Sequence, residues 1–187
     1  MINAIFKTKK SISWNAEFPD FLELAKQMRV RLHKKRPFGV QEELDNSYIT
    51  VFPRQVVFGE NLLRKLDSVE RLALAAHKLT HLKNHHRCKI LLCLVLACSP
   101  VKWFLTYSSI GDAVSTIIIA ILFAVIFIGA SRLNEYAADA GSVSYAGKEP
   151  TLSLLRKHAE PQNKWYYRFM IHPSFQDRIR KIQKSYR

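Results

Sequence analysis

The chain has 187 residues, 48% of them apolar, and carries a formal net charge of +14, a length that allows one domain or one with a small appendage. The basic excess lies on either side of residues 90–130, which carry no net charge, so it reads as attraction to anionic lipid headgroups and as a topology signal. No recognition-helix pattern or aromatic ribonucleoprotein motif accompanies the charge, which argues against nucleic acid, and Cys88, Cys93 and Cys98 are odd in number and wrongly spaced for a disulfide framework or a zinc knuckle.

In chain order, the N-terminal MINAIFKTKKSISW holds no apolar stretch long enough for a signal peptide, and that part is expected to stay in the cytoplasm. Residues 19–32 predict a helix, with Pro19 in its first turn and Phe21, Leu22, Ala25, Met28 and Leu32 on one face. The basic run from His33 to Pro37 reads as a loop. Residues 48–52 and 55–58, β-branched and aromatic and split by Pro53, read as strands in a hairpin or edge pair. Gly59 then opens a short helix. The capping-box pattern at Asp67–Glu70 starts a helix predicted from Ser68 to about His86, buried along Leu72, Ala75, Ala76, Leu79 and Leu82.

Two apolar runs follow, 90–110 (interrupted by Pro100 and Lys102) and 113–130 (uncharged). At ~1.5 Å per helical residue each is long enough for a hydrocarbon core of ~30 Å. The short SSIGD link lacks Lys and Arg, which suits a helical hairpin with both basic flanks on the inner side. A hairpin buried in a soluble core is the alternative, but a run apolar all round favours membrane. Lys102 fits there only near a helix end or facing protein. Helices are predicted at 131–146, 150–159 and 173–184, and there is no internal repeat.

The chemistry-bearing residues lie around this hairpin. His77 and His81, four apart on a helix, stand one turn apart on one face and can reach a single metal ion. Alone, that spacing is as often an ordinary helix surface or core. Glu135 and Asp139 repeat the spacing beyond the hairpin, Glu135 as a candidate third ligand and Asp139 as a candidate hydrogen-bond partner for a ligating histidine. A solvated acidic face is the plain alternative, although Ala137, Ala138 and Ala140 suggest a closely packed helix. His172-Pro173, with Arg178 six residues after the histidine, is on its own an unremarkable helix entry.

Taken in order, the HxxxH helix, the apolar hairpin, SRLNEYAADA and HPSFQDRI resemble the HtpX-type membrane metalloproteases and their relatives, the CAAX prenyl proteases. The resemblance runs from about Asn46 to Ile182 and includes the flanking VVFGENLLRKL and AGSVSYAGKEP. Longer members begin with membrane spans where this sequence begins with soluble-looking sequence.

The resemblance implies a mainly α fold with a small β-sheet (α+β): a zincin-like metalloprotease domain with an inserted transmembrane helical hairpin. Its parts would be 1–89 with the HxxxH helix, 90–130 as the hairpin, and 131–187 with the third ligand. It implies a gluzincin-type site holding one Zn2+ per chain on His77, His81 and Glu135, with Asp139 in support and His172 near the metal as a transition-state stabiliser or gate. A three-histidine variant would need Gly at 84 and His at 87, where this chain has Asn84 and Arg87; His85 remains an alternative ligand. Implied partners are membrane or misfolded protein substrates and anionic membrane lipids. The implied location is the bacterial inner membrane, with the site on the cytoplasmic side; oligomeric state is left open.

One residue departs from the pattern. In the resembled enzymes a glutamate at position 78 takes a proton from a water activated by zinc and passes it to the leaving amine. Lys78, when charged, has no lone pair to accept a proton, and its charge opposes a nearby cation. Three accounts compete: a natural pseudoprotease serving as a protein-binding adaptor, an inactivating Glu-to-Lys change, and, ranked last, a lysine neutralised by the zinc field and acting as base. The expected function is a zinc metalloendopeptidase impaired at Lys78. The alternatives are an inactive adaptor and a basic membrane protein with no metal site.

Overall fold

The computed structural model describes residues 12–13, 18–42, 44–50, 53–107, 112–158 and 172–186. The expectations for the N-terminal 1–11 and for 108–111 of the interhelical link lie outside them. Elements run β1 (Ile12–Ser13), α1 (Pro19–Gln27), β2 (Phe38–Gln41), β3 (Ser47–Thr50), β4 (Gln55–Gly59), α2 (Glu60–Lys65), α3 (Ser68–Lys83), α4 (His86–Thr106), α5 (Asp112–Ala146), α6 (Lys148–His158) and α7 (Phe175–Ser185). The fold is mainly helical with one small sheet, as the sequence predicts.

The sheet has the order β1-β2-β4-β3. The expected hairpin is present, β3 antiparallel to β4 with Ile49 opposite Val56. β2, which pairs parallel with β4, was not anticipated, because four residues containing a glycine and following Pro37 carry little strand signal. Phe21 of α1 packs on Phe38 and Phe58 of the sheet. α1 ends at Gln27, short of the predicted 32. Arg29 turns left-handed at φ 55°, and the Val30 N–H bonds back to the Ala25 carbonyl, a Schellman-type stop that sequence spacing does not reveal in the absence of glycine.

α3 starts as its capping box requires. The Asp67 carboxylate accepts the Glu70 N–H at 2.8 Å, and the Glu70 carboxylate accepts the Asp67 N–H at 2.9 Å. It stops at Lys83 and not near His86, since His85 is left-handed at φ 51°. That turn lets α4 begin at His86, four residues before the predicted apolar run. α4 then continues through Pro100.

The predicted boundary at 130/131 is not a break. α5 is one helix of 35 residues. The switch from apolar to polar sequence marks a change of surroundings, and no cap or proline accompanies it. Many apolar side chains of both helices point outward: Leu91 is 65% exposed, Trp103 69%, Ile121 60% and Val125 63%. A buried soluble hairpin would hide them. Both helices are long and apolar enough to cross a membrane. Lys102 lies four residues before the end of α4, where a long side chain can snorkel.

Small residues bring α3 and α5 together. Ala73, Ala76, Ala138 and Ser142 are fully buried, and the Ser142 hydroxyl donates to the Ala73 carbonyl at 2.9 Å. A Cβ on Gly141 would land on the Thr80 side chain. This close approach faces the two motif helices toward each other. Gly147, at φ 95°, ends α5 and lets α6 fold back at once. α6 is tied to α3 through Ser153 and Lys157, which both donate to the buried Glu70 carboxylate.

Candidate metal centre

One helical turn of α3 sets His77 and His81 on its α5-facing side, where Glu135 approaches. The His77 and His81 Nε2 atoms are 3.2 Å apart. Glu135 places one oxygen 3.5 Å from His77 Nε2 and the other 3.4 Å from His81 Nε2. A tetrahedral ion with ligands at ~2.0–2.2 Å has ligand–ligand edges of about 3.3–3.6 Å. Each of these separations is near one such edge, with Glu135 meeting the two histidines through different oxygens, so the three side chains converge on a space the size of one ion, and two imidazoles with a carboxylate are a donor set suited to zinc. Among the described residues these three form a group that could hold a metal ion.

Each donor is held from behind. His77 Nδ1 lies 3.1 Å from Asp139 Oδ1, the contact predicted for Asp139. That leaves the Nε2 lone pair facing the centre. Arg178 of α7 grips Asp139 through Nε at 2.7 Å and a second N–H, and its other terminal nitrogen lies 3.3 Å from Glu135. Burial opposes a charged guanidinium here, but Asp139 and Glu135 outweigh it and hold the Arg178 pKa above its usual value. His81 Nδ1 faces His86 Nδ1 at 2.9 Å. Burial pushes His81 down to about 4, with His77 and Lys78 adding to the fall and Glu135 resisting it. Both motif histidines are buried or nearly so, while His172 is exposed with Nδ1 3.2 Å from a Glu135 oxygen.

The sequence-predicted residues thus largely converge. His77, His81, Glu135, Asp139 and His172 meet, and Lys78 lines the same cleft, which has a volume of about 1060 Å³. His85 does not join: it is exposed in the turn after α3, outside the donor group. Sequence reasoning gave no role to Arg178 or His86. Arg178 stood in the late motif without a stated partner, and His86 was hidden in a His-His pair that a predicted continuous helix would have pointed elsewhere. The cleft runs from Ser47 and Tyr48 on the edge strand β3, past the histidines, to Leu94 and Phe127 on the apolar hairpin.

A helix with paired histidines, a carboxylate from a second helix and a flanking sheet edge define a zincin-type arrangement. Comparison with known proteins makes this more specific. The sequence profile of peptidase family M48 matches residues 20–186, nearly the whole chain, and the chain belongs to that family. It is similar to a protease HtpX homolog from Methylacidiphilum infernorum (isolate V4), 24% identical over 164 residues that cover 72% of this chain and 52% of the relative. Its fold is similar to the crystal structure of S. mikatae Ste24p, with a TM-score of 0.64 and 18% identity over 87% of this chain and 48% of the other. The chain spans about half the length of each of these relatives.

Proposed function

We propose that the chain is an integral-membrane zinc metalloendopeptidase scaffold of the M48 type whose proteolytic step is impaired by Lys78. The observation that carries this reading is the convergence of His77, His81 and Glu135, with the two Nε2 atoms 3.2 Å apart and one Glu135 oxygen 3.5 Å from the first and the other 3.4 Å from the second, backed by Asp139 and Arg178. His77, His81 and Glu135 would hold one zinc ion, leaving a position open to the cleft. When bound, zinc would act as a Lewis acid on water and on the scissile carbonyl. Asp139 keeps the His77 Nδ1 proton in place, and Arg178 offsets the buried negative charge. His172 reaches Glu135 from the exposed side, where it can donate to a substrate oxygen. Among the described residues β3 is the edge strand of the sheet beside the cleft, suited to an extended peptide added as a further strand.

Lys78 stands where a proton acceptor is needed, and an ammonium cannot serve. The parent chain is therefore expected to cleave unfolded casein in the presence of zinc far more slowly than Lys78→Glu. If neither cuts and neither retains zinc after dialysis, the site assignment fails. A second reading is favoured by Lys78 itself: an inactive adaptor that captures proteins without cutting them. It expects partner binding that survives chelators, and no gain of activity in Lys78→Glu.

In this reading 1–89 and 131–187 form one catalytic unit interrupted by the hairpin at 90–130. Membrane or misfolded proteins would be the substrates, anionic lipids would meet the basic flanks, and nucleic acid would have no part. Both halves of the site leave the hairpin at the same end, so they share one face of the bilayer. The basic flanks make that the cytoplasmic face, of the inner membrane if the host is bacterial.

A further inference from the structure

We propose that His86, the first residue of α4, is a positioning residue that fixes the tautomer and angle of His81, and so ties the apolar hairpin to the metal centre. The inference rests on the metal reading above.

His81 Nε2 faces His77 Nε2 at 3.2 Å and Glu135 at 3.4 Å. To bind a cation there it must present a lone pair, so its single proton sits on Nδ1. That nitrogen faces His86 Nδ1 at 2.9 Å. Two protons cannot share this contact, so His86 Nδ1 accepts and carries its own proton on Nε2. The two rings stand at 90° with centroids 4.9 Å apart. His86 is only 4% exposed, which limits competition from water for its acceptor. The arrangement parallels the His77–Asp139 contact: each metal-facing histidine has a dedicated acceptor behind it. Such contacts behind ligands typically contribute 10–100-fold to metal affinity.

His86 is itself held from two sides. The left-handed turn at His85 aims it back along α3, and Asn134 Nδ2, next to Glu135, approaches the His86 carbonyl at 3.5 Å. The start of one apolar helix and the far end of the other therefore close on one ligand.

The test is zinc affinity of the full chain in detergent, by competition with a chromophoric chelator. Thermal melting without zinc serves as a folding control. His86→Ala is expected to bind roughly 10–100-fold more weakly than the parent. His86→Asn should recover most of that, because Asn Oδ1 occupies the place of His Nδ1 and can accept the same N–H. If His86→Ala does not fold, His86→Leu fills the volume without an acceptor and takes its place. Cobalt-loaded parent and His86→Asn should give matching visible spectra, and His86→Ala a shifted one. The proposal is overturned if His86→Ala, or His86→Leu in its place, binds like the parent, or if His86→Asn is as weak as the variant it should rescue. A parent that binds no zinc, with His81→Ala no different, removes the metal reading and this inference with it.

Discussion

Arg178 is the residue on which the buried charges of the site converge. It pairs with Asp139 and Glu135, both buried, and is itself 8% exposed. Removing it leaves two buried carboxylates without their shared cation, the costly way to break a buried ion pair. Arg178→Ala is expected to destabilise the fold by about 3–5 kcal/mol, measured by urea unfolding, and Arg178→Lys to recover only part, because an ammonium cannot copy the two-pronged grip. At this scale the sequence was informative wherever chemistry follows spacing along one helix. His77 with His81, and Glu135 with Asp139, were legible because a turn of helix brings residues four apart together. Arg178 and His86 were not, because their partners come from helices whose mutual orientation spacing cannot supply. Arg178 lies 39 positions from Asp139, and His86 reaches His81 only because the helix breaks at His85.

Among the elements, α3 depends on its first turn and on its contact with α5. Glu70 is buried, and although burial would raise its pKa, hydrogen bonds from Lys157, Ser153 and the Asp67 backbone lower it below the ordinary 4.5. With the folded value below the unfolded one, its stabilising contribution is present above pH 4.5 and is lost as pH falls through the folded value. Denaturant midpoints followed below pH 4.5 should therefore drop more steeply for the parent than for Glu70→Gln, which is expected to be the less stable of the two at neutral pH. The α3–α5 contact predicts that Gly141→Ala, which drives a methyl into Thr80, costs about 1–3 kcal/mol. Adding Thr80→Ala should return part of that. The capping box was legible at this scale because it is local. The end of α1 at Gln27 and of α3 at Lys83 was not, because Arg29 and His85 enter left-handed turns that their residue types do not advertise.

For the whole molecule, the sequence order of motif helix, apolar hairpin and second motif helix already carried the architecture. A hairpin returns the chain to the side it left, so the two motif helices had to end on the same side. What it did not carry was β2 and the parallel pairing that makes β3 an edge, since strand order depends on a crossover through elements with weak local signals. The exposed apolar surface of α4 and α5 predicts that the full chain partitions into detergent or lipid. A variant with Leu91, Leu96, Ile117, Ile121 and Val125 changed to polar residues should lose that partitioning, read by vesicle flotation.

The unbroken run of α5 has a mechanical consequence. Glu135 and Asp139 stand on the same stiff rod as the apolar segment, with no hinge between them among its 35 residues. Glu135 lies six residues beyond Gly129, about 9 Å along the axis, so a change of tilt of roughly 10° pivoting near Gly129 would carry its carboxylate about 1.6 Å. Metal–ligand distances tolerate only some ±0.2 Å. In a bilayer the thickness of the lipid would then act as a tuning screw on the grip of the site, and zinc affinity measured in short-chain and long-chain lipid discs would differ, where a site on a hinged helix would read the same in both.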